Sequence, residues 1–447
     1  MRRRKALAVL TAGALGFSLA ACGSSAADDP NTISIAYHRY GNTQQVDAWM
    51  QRVKQQYEQA HPGKIAKLDP VVAPESEYLS KLQLRMRSPS TAPDVIYEDS
   101  FNVNSDVEAG YLAPLDERLA QWPDWGSQFI GTTKQAGRAA DGRTYGVPLD
   151  TDTRGLWYNR RLFAQAGLPA DWKPRTWDDI LAAARQVKQR FPDVIGLDMP
   201  LGKAEGESVS MQTVEMLLYG TATGTLYDEQ QKKWIAPSGG FTDAMRFLST
   251  AVGENLTQSK AQIADAQYDK NARDQLTQQG KVAIRLDGSF ASGNWEDAGW
   301  ADWSATMAAT PMPTQFGQAP GSVSLSGGWT LALSASGKKH DDAFEFVKLA
   351  LAKDNVVEYA TATGNLPARA DAAADPRVAG DTPVSRFWID LLGSSHYRPA
   401  LPEYPMVSEE IQQAVLGVVD GKAPAEVADR WSQQVGRIVQ PANTRAG

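Results

Sequence analysis

Five short stretches carry the side chains whose types and spacing could do chemistry. Asp99 ends an apolar run, and Asp150-Thr151-Asp152-Thr153-Arg154 sets two acids and a guanidinium within five polar residues. Asp287-Gly288-Ser289-Phe290, with Trp295 soon after, joins an acid to a glycine and two rings. Gly327-Gly328-Trp329 places an indole behind two glycines, and Arg398-Pro399-Ala400-Leu401-Pro402-Glu403-Tyr404 places an arginine ahead of a helical pattern. Carboxylate and guanidinium groups make charge-assisted hydrogen bonds worth about 1.5–3 kcal/mol each. Indole and phenyl rings bury wide apolar faces at low entropic cost. Two carboxylates held close together could also serve as general acid and base.

Cys22 is the only cysteine in 447 residues. Arg2, Arg3, Arg4 and Lys5 precede a run from Ala6 to Ala21 without charge, and Leu19-Ala20-Ala21-Cys22 closes it. A cationic start, a short apolar segment and small residues make an export signal. The run is shorter than the roughly 20 residues that span a bilayer as a helix. Leu-Ala-Ala-Cys resembles a bacterial lipobox, whose thiol is acylated and whose chain is cut before it. The expected layout is a lipoprotein signal peptide over 1–21 and a lipid-anchored linker over 22–31. The chain would then sit outside the cytoplasmic membrane, touching it through the anchor alone.

Removing the four basic residues takes Lys+Arg from 45 to 41 against 52 acids, a net charge of −11. That charge argues against nucleic acid as a partner. Without a second cysteine there is no internal disulfide, so cohesion must come from buried core. The length suggests two lobes. His38, His61, His340 and His396 are scattered with no metal-ligand spacing, and no GxSxG, GxxxxGK[ST] or GxGxxG motif is present. No cofactor or metal is expected.

Thr32 to Tyr37 alternates polar and apolar residues as a strand does, and Val46, Trp49, Met50, Val53 and Tyr57 share one helical face. A strand near Ile65 to Val72, a helix over Tyr78 to Met86 and a strand at Asp94 to Tyr97 complete a β-α-β-α-β order. That order implies a parallel α/β sheet, with ligands beyond the carboxyl ends of its strands, where Tyr37-His38-Arg39-Tyr40 and Asp99 fall. Thr176-Trp177-Asp178-Asp179 reads as a capping-box variant. Further helices follow from Phe344, Val347 and Leu351, from Ile411, Val415 and Val418, and from Val427, Trp431, Val435 and Ile438. Strands are expected at Val282 to Leu286 and Thr330 to Leu333.

A set of ordered segments then carries a resemblance. These are Ala92-Pro93-Asp94-Val95-Ile96, Gly110-Tyr111-Leu112-Ala113-Pro114-Leu115, Tyr145-Gly146-Val147-Pro148, Trp157-Tyr158-Asn159, Pro174-Arg175-Thr176-Trp177-Asp178, Gly280-Lys281-Val282-Ala283, Ser326-Gly327-Gly328-Trp329 and Gly364-Asn365-Leu366-Pro367. Their order and spacing resemble extracellular solute-binding proteins of carbohydrate ABC importers. The resemblance implies a two-lobed periplasmic-binding-protein-like α/β fold with a hinge, sugar in the cleft, no catalysis, a monomer, and an ABC permease as partner. By analogy the chain crosses near Val147, Trp303 and Ala352. That gives lobe 1 as 32–146 and 303–352, and lobe 2 as 147–302 and 353–447.

The same resemblance assigns sugar contacts. Hydroxyls suit Asp99, Asp150, Asp152, Arg154, Asp287 and Arg398; C–H faces suit Phe290, Trp295, Trp329 and Tyr404; Gly288 and Gly328 admit backbone. Tyr37 and Arg39 could line the cleft, and Glu205 and Glu207 lie in a polar loop. Two other classes stay open. A lipid-anchored glycoside hydrolase would need two carboxylates about 5–9.5 Å apart and an acid of raised pKa, which no feature of the sequence suggests. A glycerophosphodiester binder of the same fold would want more arginine and fewer acids.

Overall fold

The computed structural model of the protein describes residues 29–39, 44–73, 75–380 and 382–447. Cys22, the leader before it and Tyr40 lie outside the described residues. The first strand, β1 (Thr32–Arg39), sends Ile33, Ile35 and Tyr37 into one core. Helix α1 (Gln44–Ala60) buries Val46, Trp49, Met50, Val53 and Tyr57, the face its spacing dictates. Next come β2 (Ile65–Val72), α2 (Glu75–Met86), β3 (Val95–Asp99) and β4 (Gly146–Pro148). The chain then enters a second body through β5 (Arg154–Asn159), α3 (Trp177–Arg190) and β6 (Ile195–Asp198). Thr176 caps α3: its hydroxyl accepts from Asp179 N–H, and the Asp179 carboxylate accepts from Thr176 N–H. Helix α4 (Gly239–Gly253), then β7 (Val282–Gly288), β8 (Met307–Thr310) and β9 (Ser322–Leu325) complete that body's walls. The last long strand, β10 (Trp329–Leu333), returns to the first.

The first sheet runs β2-β1-β3-β10-β4, and the second runs β8-β5-β7-β6. Strands β1, β2 and β3 are parallel, as the β-α-β-α-β order requires, but β10 is antiparallel to both β3 and β4. The all-parallel expectation is therefore corrected to a mixed sheet. The reason is topological: β10 arrives from the other lobe instead of through a crossover helix, so nothing forces it parallel. Its register sets Trp329 opposite Asp99.

Two of the three expected crossings are also moved. Trp303 packs against Trp157 and Trp295, and β8 pairs with β5, so the chain stays in the second lobe until Leu325. The return runs through Ser326-Gly327-Gly328. Helices α5 (His340–Ala350) and α6 (Lys353–Thr363) both pack on the first sheet, with Val356, Val357, Tyr359 and Ala360 beside Trp49. The final crossing lies between Val378, in the first core, and Trp388, in the second. Apolar spacing marks a helix, but it does not say which of two equally apolar cores receives it. Helices α7 (Tyr404–Val419) and α8 (Pro424–Val439) close the second lobe against α4, with Trp431 stacked on Phe241 at 3.9 Å.

Candidate functional site

The carboxyl end of β3 and the start of α7 meet where the lobes face each other. Asp99 accepts from Arg398 Nη2 at 3.0 Å and from the backbone N–H of Phe101. Arg398 also reaches Glu207 Oε1 at 3.3 Å and Ser100 Oγ at 3.1 Å, and its guanidinium lies 5.1 Å from the Phe101 ring. Its side chain is only 6% exposed. A guanidinium so buried requires anionic partners, and it has one from each lobe.

A second arginine converges on the same point. Arg154 bonds Asp152 Oδ1 at 2.5 Å and Gln212 Oε1 at 3.2 Å, while Asp152 accepts from the N–H of Gly327 at 2.8 Å. A β-carbon at position 327 would sit 3.5 Å from Arg398 Nη2, 3.6 Å from Arg154 Nη2 and 3.1 Å from Met211 Cε. Glycine at 327 thus brings two guanidinium groups against backbone. Gly328 has φ +143°, and a β-carbon there would meet the Asp150 carbonyl oxygen at 2.5 Å. These two glycines lie in the segment that links the lobes, between Leu325 and Trp329.

Trp329 is half-buried and lies flat on Tyr97, centroids 4.4 Å apart at 14°. Tyr97 donates to the Tyr359 hydroxyl, which in turn donates to Asp150 Oδ2 at 2.8 Å. The indole is therefore backed by a fixed stack, with the His38 and Tyr78 rings also beside it at 6.1 Å and 5.9 Å, and it stays half-buried at the end of the linking segment. Phe290 is also half-buried, with Arg154 and Arg273 beside its ring at 5.8 Å and 5.3 Å. Arg39 ends β1 exposed.

Several expected contacts are displaced from the surface. Trp295 is 1% exposed, at the centre of a core with Trp157, Trp300, Trp303 and Trp388, so it is a packing ring. Tyr37 is fully buried and donates to Asp47. Asp287 is fully buried among Arg285 and Arg273, which offset burial and hold its carboxyl below the usual range. Gly288 is buried, its carbonyl accepting from Trp157 Nε1 at 3.0 Å. Asp150 accepts from Trp329 N–H, Tyr359 and Asn365, and burial pushes its pKa up to about 7. It ties the linking segment instead of facing the cleft. Tyr404 is also buried, its hydroxyl set between Glu207 and Glu215.

Sequence reasoning passed over Glu215 and ranked Glu207 low. Glu207 opens the helical turn that runs into a π-helical turn, Val209–Glu215, and Glu215 ends it, with no periodicity to mark either. The expectation that no carboxyl has a raised pKa is corrected: burial raises Glu207, and pushes Glu215 up to about 8. Among the described residues no cluster of three or more His, Cys, Asp or Glu could hold a metal ion, and no helix is long and apolar enough to cross a membrane.

The profile of the family described as bacterial extracellular solute-binding protein matches residues 40–357. A diacetylchitobiose-binding protein of Streptomyces coelicolor is 24% identical, over 95% of this chain and 96% of its own. A putative binding protein of Brucella abortus is 23% identical, over 91% of this chain and 92% of its own. Among solved structures, an ABC transporter solute-binding protein of Thermotoga lettingae bound with α-D-tagatose superposes with a TM-score of 0.78. It is 23% identical and covers 92% of this chain and 100% of its own. The GacH receptor of Streptomyces glaucescens, solved unliganded and with acarbose, gives 0.76 at 24% identity, over 92% and 98%.

Proposed function

Because the chain belongs to the bacterial extracellular solute-binding proteins, we propose that it captures a neutral mono- or oligosaccharide between its lobes and delivers it to an ABC permease. It does so as a monomer tethered by an acylated Cys22 to the outer face of the cytoplasmic membrane. The observation that carries this reading is the meeting of Asp99 and Trp329 from the first lobe with Arg398, Arg154 and Asp152 from the second. Charged groups at the centre take hydroxyls, and Trp329, backed by Tyr97, takes a sugar C–H face. Phe290 and Arg39 extend the cleft, and Gly328 shapes its linking segment. Sugars named for the relatives, diacetylchitobiose, acarbose, tagatose and maltose, set the range to search.

A ligand touching both lobes binds the closed form better, and that difference in affinity is what shifts the hinge equilibrium. Neither alternative gains from the geometry. Glu215, a carboxyl of raised pKa, is sealed behind Tyr404, away from any scissile bond. Arg398 is already flanked by two carboxylates, which leaves little positive charge for a phosphodiester. The test is a thermal-shift panel of these sugars and glycerophosphodiesters on the exported chain, followed by product analysis of the best stabiliser. A sugar that raises the melting temperature and is recovered intact supports the proposal. New reducing ends, or stabilisation by phosphodiesters alone, would overturn it.

A further inference from the structure

The hydroxyl oxygen of Tyr404 lies 2.6 Å from Glu207 Oε1 and 2.5 Å from Glu215 Oε1. A phenol has one hydrogen, so it donates to only one of two carboxylates. The other short contact needs a proton of its own. Glu207 also accepts from Ser408 Oγ and faces the Arg398 cation, whereas Glu215 has no cation in contact and its Oε2 has no hydrogen-bond partner. The extra proton therefore belongs on Glu215, and the order runs Glu215–OH to Tyr404–OH to Glu207⁻ to Arg398⁺ to Asp99⁻.

We propose that Glu215 is a proton-holding positioning residue: its carboxylic acid fixes the direction of the Tyr404 hydroxyl, which keeps Glu207 an anion beside Arg398, the guanidinium that reaches across the cleft to Asp99. This rests on reading the Asp99–Arg398 region as the cleft that closes. Three consequences follow from the charges. The closed site holds two anions around one cation while Glu215 is neutral. Ionising Glu215 adds a third anion on the second-lobe side of Arg398, where it competes with Asp99 for the guanidinium. Closure thus becomes linked to one proton, and the closed form is the one that keeps it.

The charged and titratable groups acting on Glu215 are Tyr404, Glu207 and Arg398, with Tyr219 on the following helical turn. Other charges on the packed elements are engaged elsewhere or face solvent. Asp243 pairs with Arg246 on α4, Arg285 with Asp287 on β7, and Glu409 on α7 is exposed. Burial first, then the like charge of Glu207, raises Glu215, while the Tyr404 hydrogen bond and Arg398 oppose it. Glu215 keeps its proton until pH climbs towards about 8, and the competition with Asp99 for Arg398 sets in only as that proton is lost.

The test needs no ligand. Small-angle scattering of the sugar-free chain from pH 6 to 9 should show the radius of gyration rising in the wild type. It should stay flat in Glu215→Gln, whose amide keeps a donor towards Tyr404 without an ionisable proton. Infrared spectra at pH 7 should show one protonated-carboxyl C=O band present in the wild type and missing from Glu215→Gln. Tyr404→Phe, which keeps the buried ring but breaks the relay, should also flatten the pH response, and it decides the matter if Glu215→Gln fails to fold. A wild-type radius flat across the range overturns the proposal. So does an expansion that persists in folded Glu215→Gln or in Tyr404→Phe, or a carboxyl band unchanged between wild type and Glu215→Gln. Failure of sugar binding with an intact pH response would instead count against the function proposed above and leave the relay standing.

Discussion

Arg398 and Asp99 are 299 positions apart in the chain and meet at 3.0 Å, one from each lobe. The second lobe supplies the arginine just ahead of α7, and the first supplies the aspartate from the carboxyl end of β3. Any ligand in this cleft competes with, or completes, an ion pair that already crosses it.

Replacing either acid should weaken sugar binding while leaving an exposed carboxylate's replacement silent. Asp99→Ala and Asp152→Ala are expected to lose about 1.5–3 kcal/mol of affinity each, the worth of hydrogen bonds to a charged group. Glu229→Ala, on the surface, should change it little. Titration calorimetry with the best stabilising sugar reads all three, and wild-type affinity in both aspartate variants would remove them from the site.

Trp295 and Trp329 should separate core from cleft. Trp295→Ala empties the centre of the five-tryptophan cluster, and large-to-small changes of this kind cost about 3–5 kcal/mol of stability. Trp329→Ala is expected to lower sugar affinity more than it lowers the melting temperature. Chemical unfolding and calorimetry on both variants check this, and the opposite ranking would reverse the assignment.

Gly328→Ala should be poorly tolerated. The β-carbon would meet the Asp150 carbonyl at 2.5 Å, and φ is +143°. Gly126→Ala, with nothing within 4 Å, is the matched control. Left-handed or otherwise strained backbone costs on the order of 1–3 kcal/mol before any clash is counted. Equal melting temperatures for the two variants would mean the linking segment relaxes freely.

Stability should fall as pH rises from about 5 to 8. Burial raises Glu98 well above the usual carboxylate range and Asp106 to about 6, and Asp106 adds to the rise at Glu98. The folded chain holds protons here that the unfolded chain has lost by about pH 5, where free Glu and Asp are ionised. The contribution is therefore full below the unfolded values and disappears as pH passes the folded ones. Urea unfolding at pH 5 and 8 should show the loss, reduced in Glu98→Gln. Stability that increases over this interval would contradict the sign.

Cys22→Ala should abolish membrane retention or leave the leader uncut, because a diacyl anchor holds where one short acyl chain is marginal. Fractionation of cells expressing each form reads this. A cleaved variant still bound to membranes would dispose of the lipid anchor.

Periodicity alone determined much of this protein. The buried face of α1, the capping box of α3 and the positions of β1, β7 and β10 follow from spacing along one segment, which needs no knowledge of any other. Asp99 and Arg398 were legible as candidates because they stand at an element's end, where side chains are free to face a cleft. Tertiary structure decided what spacing cannot encode. It turned β10 antiparallel, kept Trp303 in the second lobe and α6 on the first, and buried Trp295, Tyr37 and Asp287. It also set Glu215 behind Tyr404. An indole is equally suited to a core and to a sugar, and the proton on the Glu215 carboxyl depends on Tyr404, 189 residues away. Which role each takes is fixed only when the two lobes have packed and the burial of every group is set.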